Sequence, residues 1–273
     1  MIGVVHLVWG PLGVSPLRSF LCSYRAHSAG VEHELTILFN GVEGREDVPP
    51  DLRDRLVAEL EGTPHRLLSL PEPVLDLAAY GIAARELTHS RLCFLNSYSS
   101  ILESGWLAYL AAGLDQPDVG LAGVSASWES QAEWVRGKVR YWPYQLMRLR
   151  RDRRDYPRFP NPHIRTTAFV LRREAVLAMR LEQVAGKREA YRLESGRNSI
   201  TRQVLAAGGR AVVVGRGGRI YDIEQWPDSR TFRSGRQENL LVADNRTEEW
   251  QRCSSRLRHR LSRDAWGERY PLG

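Results

Sequence analysis

The segment SRLCFLNSYS (residues 90–99) is the most informative part of the sequence about the fold, because an apolar run passes directly into a polar one. Its first part, residues 90–95, is apolar enough for a strand at the centre of a sheet, where both faces are covered. Its second part, Asn96 to Ser99, carries amide and hydroxyl groups. The segment therefore predicts a buried strand that ends in a polar loop.

Similar apolar runs alternate with amphipathic stretches earlier in the chain. Strands are predicted at residues 2–10, 34–41, 66–70 and 90–95. The stretches between them have helical spacing and begin at Ser15-Pro16, Asp51 and Asp76. Strands that alternate with helices predict a mostly parallel α/β sheet, connected in the right-handed sense and flanked by helices.

The second half of the chain is less regular. The patterns predict a helix at residues 105–112, strands at 118–126 and 166–171, a helix that Asn198 caps, and a hairpin at 211–223. Residues 129–163 have no clean period and predict a long surface excursion. With no internal repeat or linker, we expect one domain over residues 1–245 and a basic helical tail over 246–273.

Composition excludes several classes of protein. The chain has 273 residues, 42% of them hydrophobic, which suits a globular core. No stretch approaches the roughly 18 to 20 apolar residues of a membrane span, and the N-terminus does not resemble a signal peptide. The three cysteines form no CxxC pair and predict neither a disulfide framework nor a zinc site. We therefore expect a cytoplasmic protein.

The net charge of +7 comes from arginine, since Lys138 and Lys187 are the only lysines. GC-rich coding would produce such an excess of arginine, and selection for binding a polyanion would produce it equally. The chain has no recognisable nucleic-acid-binding motif, so no nucleic-acid partner is expected. Basic stretches occur at 148–158 and in the tail, and the tail predicts either peripheral contact with an anionic membrane or a helix packed on its own domain.

Polar and aromatic residues follow the predicted parallel strands. They are Trp9-Gly10, Asn40-Gly41 and Asn96-Ser97-Tyr98. Ligands of open parallel sheets bind outside the carboxyl ends of the strands, so these residues are candidates for binding a nucleotide. Taken singly, Trp9 suits a core position and Asn40-Gly41 a turn equally well.

The order of these motifs resembles the inverting family-2 glycosyltransferases of GT-A fold, over roughly residues 2–225. The resemblance is carried by the strand ending in Asn40-Gly41, Asp76 in a helix, FLNSYS (94–99) and Glu194-Ser195 before a later helix. It implies a GT-A-like, mostly parallel sheet. It also implies transfer of a sugar, with inversion, from a nucleotide diphosphate sugar to a hydroxyl of a glycan, lipid-linked or natural-product acceptor.

The resemblance further implies roles for individual residues. Glu194 would be the catalytic base, at the start of a helix whose dipole maintains its charge. Asp76 would lie beside the nucleoside, and the donor would be held by Trp9, Gly10, Asn40, Asn96, Ser97 and Tyr98. For the acceptor we expect His163, Arg165 and Trp226.

The chain departs from the family at its acidic positions. Where this sequence has Asn96, Tyr98 and Ser99, family members have acids that hold a divalent metal. Where it has Ser195, they have the second acid of the later acidic pair. Mg²⁺ and Mn²⁺ need carboxylate ligands. No metal-ligating residue is therefore assigned, dependence on Mg²⁺ or Mn²⁺ stays open, and a catalytically inactive nucleotide-sugar-binding subunit is the alternative function.

Overall fold

A computed structural model of the protein describes residues 1–133 and 142–268. Residues 134–141 of the predicted surface excursion and 269–273 of the predicted tail lie outside the described residues. The helices are α1 Ser15–Ala26, α2 Leu52–Glu59, α3 Asp76–Glu86, α4 Trp106–Leu114, α5 Trp142–Asp155, α6 Arg173–Met179, α7 Lys187–Ser195, α8 Ile200–Ala206, α9 Asn245–Arg252 and α10 Ser255–Trp266. The strands are β1 Ile2–Trp9, β2 His33–Asn40, β3 Arg66–Ser69, β4 Arg91–Leu95, β5 Ser100–Ile101, β6 Val119–Gly123, β7 Ala126–Ser127, β8 His163–Ile164, β9 Ala168–Arg172, β10 Arg210–Val214, β11 Ile220–Tyr221 and β12 Val242–Ala243.

Eight strands form the central sheet in the order β11-β10-β6-β9-β4-β1-β2-β3. The pairs β1–β2, β1–β4, β2–β3 and β6–β10 are parallel, whereas β9 runs antiparallel to both of its neighbours. The predicted mostly parallel sheet flanked by helices is confirmed. The predicted hairpin is confirmed as β10 and β11.

The core lies on both faces of the sheet, because buried strands alternate their side chains between two apolar layers. Val4 and Val8 of β1 pack with Phe20 of α1 on one face. Val5 of the same strand packs on the other face with Tyr80 of α3. Helices therefore cover both faces, and ligands have access to the sheet at its edges.

Strand register determines which residues share the carboxyl edge of the sheet. Trp9 at the end of β1 is paired with Asn40 at the end of β2. Because β9 is antiparallel, its first residue, Ala168, is paired with Leu95, the last residue of β4. Residues that precede β9 therefore lie beside residues that follow β4.

Two segments differ from the sequence-based expectation. The region at 118–126 was predicted as one strand, but the chain leaves the sheet after β6, and β7 pairs with β8 instead. Part of the irregular excursion is helix α5. Its run of arginines interrupts the apolar period that would have identified it as a helix.

The last two helices, α9 and α10, pack on the domain through tryptophan. Trp250 and Trp266 are buried, and the Trp266 indole Nε1 donates to the Phe232 carbonyl oxygen at 2.7 Å. In the part of the chain that the structure describes, no helix is both long enough and apolar enough to cross a membrane.

Candidate functional site

The loop that follows β4 is organised around the side chain of Asn96. Its Oδ1 accepts from the Tyr98 backbone N–H at 3.0 Å and from Ser99 Oγ at 3.1 Å. The Asn96 backbone N–H donates to the Thr167 carbonyl at 3.0 Å, which joins the loop to the residues before β9. Within residues 1–133 and 142–268, Asn96 Nδ2 and Ser97 Oγ make no hydrogen bond, so both are available to a ligand.

Glu194 contacts the same edge of the sheet. Thr166 Oγ1 donates to Glu194 Oε1 at 2.8 Å, and the next residue, Thr167, is the one that Asn96 contacts. The carboxylate and the β4 loop are therefore connected through two consecutive threonines. The structure thus brings an acidic side chain to the edge where β4 ends and β9 begins.

The predicted helical position of Glu194 is wrong. Glu194 lies in the last turn of α7, Lys187–Ser195, where the helix dipole is unfavourable to an anion. The following helix, α8, is capped by Ser199 and not by Asn198. The sequence did not show this because α7 is short and strongly charged, with only three apolar residues, Ala190, Tyr191 and Leu193.

Burial raises the pKa of Glu194 above its ordinary value. The hydrogen bond from Thr166 opposes that increase, repulsion by Asp76 adds to it, and attraction by Arg165 opposes it. A carboxyl with a raised pKa accepts a proton more readily, which suits a general base working near neutral pH. The raised pKa therefore supports Glu194 as the catalytic base, whereas its position in the last turn of α7 does not.

Asp76 is the first residue of α3, at the positive end of that helix. A good part of the residue is exposed, yet the loss of water around its carboxyl raises its pKa, and its charge acts on Glu194. Asp76 therefore lies within electrostatic range of the candidate base.

A second buried carboxylate, Asp244, lies at this edge with stronger partners. Arg165 Nη2 and Thr167 Oγ1 each donate to Asp244 Oδ2 at 2.7 Å. Burial alone would raise the pKa of Asp244, but the charge and hydrogen bonds of Arg165, with those of Thr247 and Thr167, hold it below its ordinary value. Asp244 also caps α9, so its role is structural.

Arg165 is consequently engaged within the protein. Besides Asp244 it contacts Ser125 Oγ at 3.3 Å, and its guanidinium lies 4.0 Å from the centre of the Phe232 ring. These contacts link the residues before β9 to α9. They do not support the predicted binding of an acceptor by Arg165.

Two predicted donor-binding residues have structural contacts. The buried Asn40 amide exchanges two hydrogen bonds with the backbone of Val74, at 2.8 and 3.0 Å, and so positions the loop before Asp76. A side chain at Gly10 would come within 2.0 Å of the Gly41 carbonyl oxygen, so glycine permits the close approach of two loops. Neither Asn40 nor Gly10 presents a group to a ligand.

Trp9 is partly buried, and the guanidinium of Arg45 lies 5.1 Å from the centre of its ring. Gly41 lies against the same indole. A nucleobase would therefore stack on Trp9 by taking the place of Arg45. Tyr98 is the more accessible aromatic residue at this edge, with 41% of its surface exposed.

Two predicted acceptor residues are buried. Trp226 is fully buried in the core and donates to the Tyr221 carbonyl at 3.1 Å, so no sugar can stack on it. Burial lowers the pKa of His163 to about 4, and its Nδ1 lies 2.9 Å from the Asn161 carbonyl oxygen. His163 is therefore a neutral core histidine, and neither residue is positioned to bind an acceptor.

The residues present do not fit a divalent metal ion. Asn96 stands where members of the similar family have a metal-binding acid. Its Oδ1 already accepts two hydrogen bonds from within the loop. Over residues 1–133 and 142–268, no group of three or more histidine, cysteine or acidic side chains comes together. Metal dependence is accordingly a question for experiment.

Sequence reasoning missed Thr166, Thr167, Glu129 and Arg233. Arg233 is buried, its Nη1 lies 3.6 Å from Glu129 Oε2, and its Nε makes no hydrogen bond with the residues that the structure describes. The threonine pair in PHIRTTAF (162–169) directly precedes a strand, a position that suggests a strand end. No local pattern distinguishes Arg233 from the other arginines.

Comparison with known proteins shows the fold. No family model matches the chain, and no curated protein matches it. The mannosyltransferase PcManGT from Pyrobaculum calidifontis, solved with GDP-Man and Mn²⁺, aligns with a TM-score of 0.50 at 13% identity, over 84% of this chain and 59% of its own.

Two further solved structures align less well. TarS (1–349) from S. aureus has a TM-score of 0.47 at 10% identity, covering 82% of this chain and 60% of its own. Glucosyl-3-phosphoglycerate synthase from Mycobacterium tuberculosis has a TM-score of 0.39 at 16% identity, covering 64% and 56%. The chain thus spans about three fifths of the length of these proteins. The alignment with the mannosyltransferase shows that its own fold is the GT-A-like α/β fold.

Proposed function

We propose that the chain is a glycosyltransferase that moves a sugar from a nucleotide diphosphate sugar to a hydroxyl of a glycan, lipid-linked or natural-product acceptor, with inversion. The observation that carries the proposal is the contact between Thr166 Oγ1 and Glu194 Oε1 at 2.8 Å, next to the loop after β4. This contact positions a carboxylate with a raised pKa at the edge where GT-A-like sheets bind their ligands.

The proposed reaction is a single displacement at the anomeric carbon. The acceptor oxygen forms a bond to that carbon as the bond to the diphosphate breaks, and Glu194 takes the proton of the acceptor hydroxyl. A positioned base of this kind contributes roughly 10²- to 10⁴-fold to the rate. One displacement with no enzyme-bound sugar inverts the anomeric configuration.

Hydrogen-bond donors of the β4 loop would receive the diphosphate. Asn96 Nδ2 and Ser97 Oγ have no partner among the residues described, and the exposed Tyr98 adds a hydroxyl. Donors that are already oriented stabilise charge as it develops on a leaving group. The hydrogen bond that the Tyr98 backbone N–H donates to Asn96 Oδ1 holds this loop in its conformation before the sugar donor binds.

A binding experiment on the full chain tests the donor class. Thermal unfolding is measured with UDP-, GDP- and dTDP-sugars, each with Mn²⁺ and with EDTA. We expect one nucleotide class to raise the melting temperature, with little effect of EDTA, since ligand binding to the native state stabilises it by mass action. An Asn96→Asp variant restores one acid, and a gain of Mn²⁺ dependence there would show that the loop lies at the diphosphate.

Transfer is measured separately with the donor class that binds. The anomeric configuration of the product, read by NMR, distinguishes inversion from retention. Donor binding without transfer to any acceptor would favour the inactive binding subunit. Steeply salt-dependent binding of oligonucleotides with no response to sugar nucleotides would contradict the proposal.

A further inference from the structure

An arginine-lined groove lies between α5 and α7, away from the strand ends. It encloses about 770 Å³ and is open to solvent. Its lining includes five arginines: Arg150, Arg151 and Arg154 from α5, and Arg188 and Arg192 from α7. The groove is therefore a concentrated positive surface formed by two helices.

The acidic residues of the groove do not neutralise it. Asp155 is bonded to Arg188 and lies 3.9 Å from Arg192, and Glu189 accepts from the Ala185 backbone N–H at 3.0 Å. Arg150 and Arg154 are exposed and pair with no acid in the described parts of the chain. Two guanidinium groups therefore face solvent, free to bind an anion.

Exposed apolar side chains flank these arginines. Met147 is 64% exposed and Tyr191 is 48% exposed. Met147 precedes Arg150 by three residues and Arg154 by seven, and Tyr191 follows Arg188 by three, so each shares a helix face with the groove arginines. The surface thus joins phosphate-binding groups to groups that prefer the membrane interface.

We propose that this groove, with Met147 and Tyr191 at its rim, is a docking site for the surface of a membrane that contains anionic phospholipids. A guanidinium group binds a phosphate group through two parallel N–H···O hydrogen bonds. Basic residues with interspersed apolar side chains are typical of surfaces that lie on anionic bilayers. The proposal goes beyond sugar transfer and does not depend on it.

The basic tail was the other candidate for membrane contact, and the comparison with it favours the groove. Trp250 and Trp266, the tryptophans of the tail, are both buried in the protein. The tail therefore offers charge but no exposed aromatic side chain within residues 246–268. In the groove, exposed charge and exposed apolar surface occur together.

Vesicle sedimentation of the full-length protein tests the proposal. Wild type is mixed with phosphatidylcholine vesicles and with vesicles that contain 30% phosphatidylglycerol, at low salt. We expect binding to the anionic vesicles alone. The double variant Arg150→Glu/Arg154→Glu should bind them at least about tenfold more weakly, because each basic residue near the surface contributes to the attraction.

The matched control is Arg256→Glu/Arg260→Glu on α10. These two exposed arginines have the same spacing along a helix, and the variant has the same net charge. We expect its binding to change less than twofold. Equal losses in both variants would overturn the proposal, as would wild type that fails to bind anionic vesicles.

A second variant distinguishes a membrane from a soluble polyanion. Met147→Ser/Tyr191→Ser keeps the charge and should weaken vesicle binding several-fold. Binding that is unchanged in this variant, or competed away by inorganic phosphate or a short oligonucleotide at low concentrations, would overturn the membrane assignment. Far-UV circular dichroism and an unchanged melting temperature establish that each variant is folded.

Discussion

Glu194 and Asp244 are two partly or fully buried carboxylates held by consecutive threonines, and they differ in how completely their charge is compensated. Thr166 donates to Glu194, and Thr167 donates to Asp244. Asp244 also has the guanidinium of Arg165 and the backbone N–H of Thr247, at 2.7 and 2.9 Å. The pKa of Glu194 is raised and that of Asp244 is lowered.

The difference shows that two carboxylates at one edge of a sheet suit different roles, Asp244 stabilising the fold and Glu194 accepting a proton. A carboxylate with full compensation stays ionised and stabilises the fold. A carboxylate with one donor and a nearby like charge is costly to ionise, and for that reason it takes up a proton easily. Four experiments test whether Glu194 and Asp244 differ in this way.

Glu194→Gln should lower kcat by roughly 10²- to 10⁴-fold while the affinity for the donor changes little, because the amide cannot accept the proton. The measurement is the rate of sugar transfer with saturating donor, alongside donor binding by calorimetry. Glu174→Gln, an exposed glutamate on α6, is the control and should keep its activity. A Glu194→Gln variant within tenfold of wild type would remove Glu194 from the role of base.

Asp244→Asn should lower the free energy of unfolding by about 3 to 5 kcal/mol, since it leaves the mostly buried Arg165 without its counter-charge. Denaturant unfolding at pH 7 measures the loss. The depressed pKa means that Asp244 stabilises the fold above its unfolded pKa, and that this contribution is lost as pH falls through the folded value. The difference between variant and wild type should therefore shrink in acid.

The control for Asp244→Asn is Asp47→Asn, which removes the carboxylate of an exposed pair with Arg45. Water screens the charges of an exposed pair, so the expected loss is small beside that of Asp244→Asn. Similar losses in the two variants would mean that Asp244 is not specially compensated.

Thr166→Val should lower kcat at neutral pH by about tenfold and move the acid limb of the pH–rate profile to higher pH. The lost hydrogen bond favours the ionised form of Glu194, so its removal raises the pKa further. Thr167→Val is the matched control at the next residue and should leave the acid limb in place. A shift of the same size in both variants would contradict the separation of the two sites.

Glu194→Gln should raise the free energy of unfolding at pH 7 to 8, on the order of 1 kcal/mol. A carboxyl whose folded pKa is raised loses stability as pH rises from the unfolded pKa through the folded one. The gain should therefore be full above the folded pKa and vanish below the unfolded one. A variant less stable than wild type at every pH would show that Glu194 is compensated like Asp244.

Sequence reasoning located the strands well and the side-chain contacts poorly. β1, β2 and β4 were predicted because their residues are apolar on both faces, a property of the strands themselves. Asn40 was assigned to the ligand because it ends a strand. Its partner, the backbone of Val74, is 34 residues away, and no local pattern reports a contact at that separation.

Glu194 shows the same limit in a different form. The motif order located it in the chain, and in the structure Thr166, two residues before β9, donates to its carboxylate. Its place at the end of α7 was mispredicted because capping signals are weak in a short, charged helix. Its raised pKa depends on Asp76 and on burial, which exist only after folding.

The sequence alone determined the sheet, its helical layers and the polar residues at the strand ends, because the period of apolar residues is a local property of the chain. Tertiary packing determines which of those residues keep polar groups without a hydrogen-bond partner in the described protein. The antiparallel insertion of β9 brings Thr166 and Thr167 beside Asn96, and long-range contacts bury Trp226 and His163 and leave Glu194 with a single donor. Burial and pairing depend on all neighbours at once, whereas periodicity depends on a few adjacent residues.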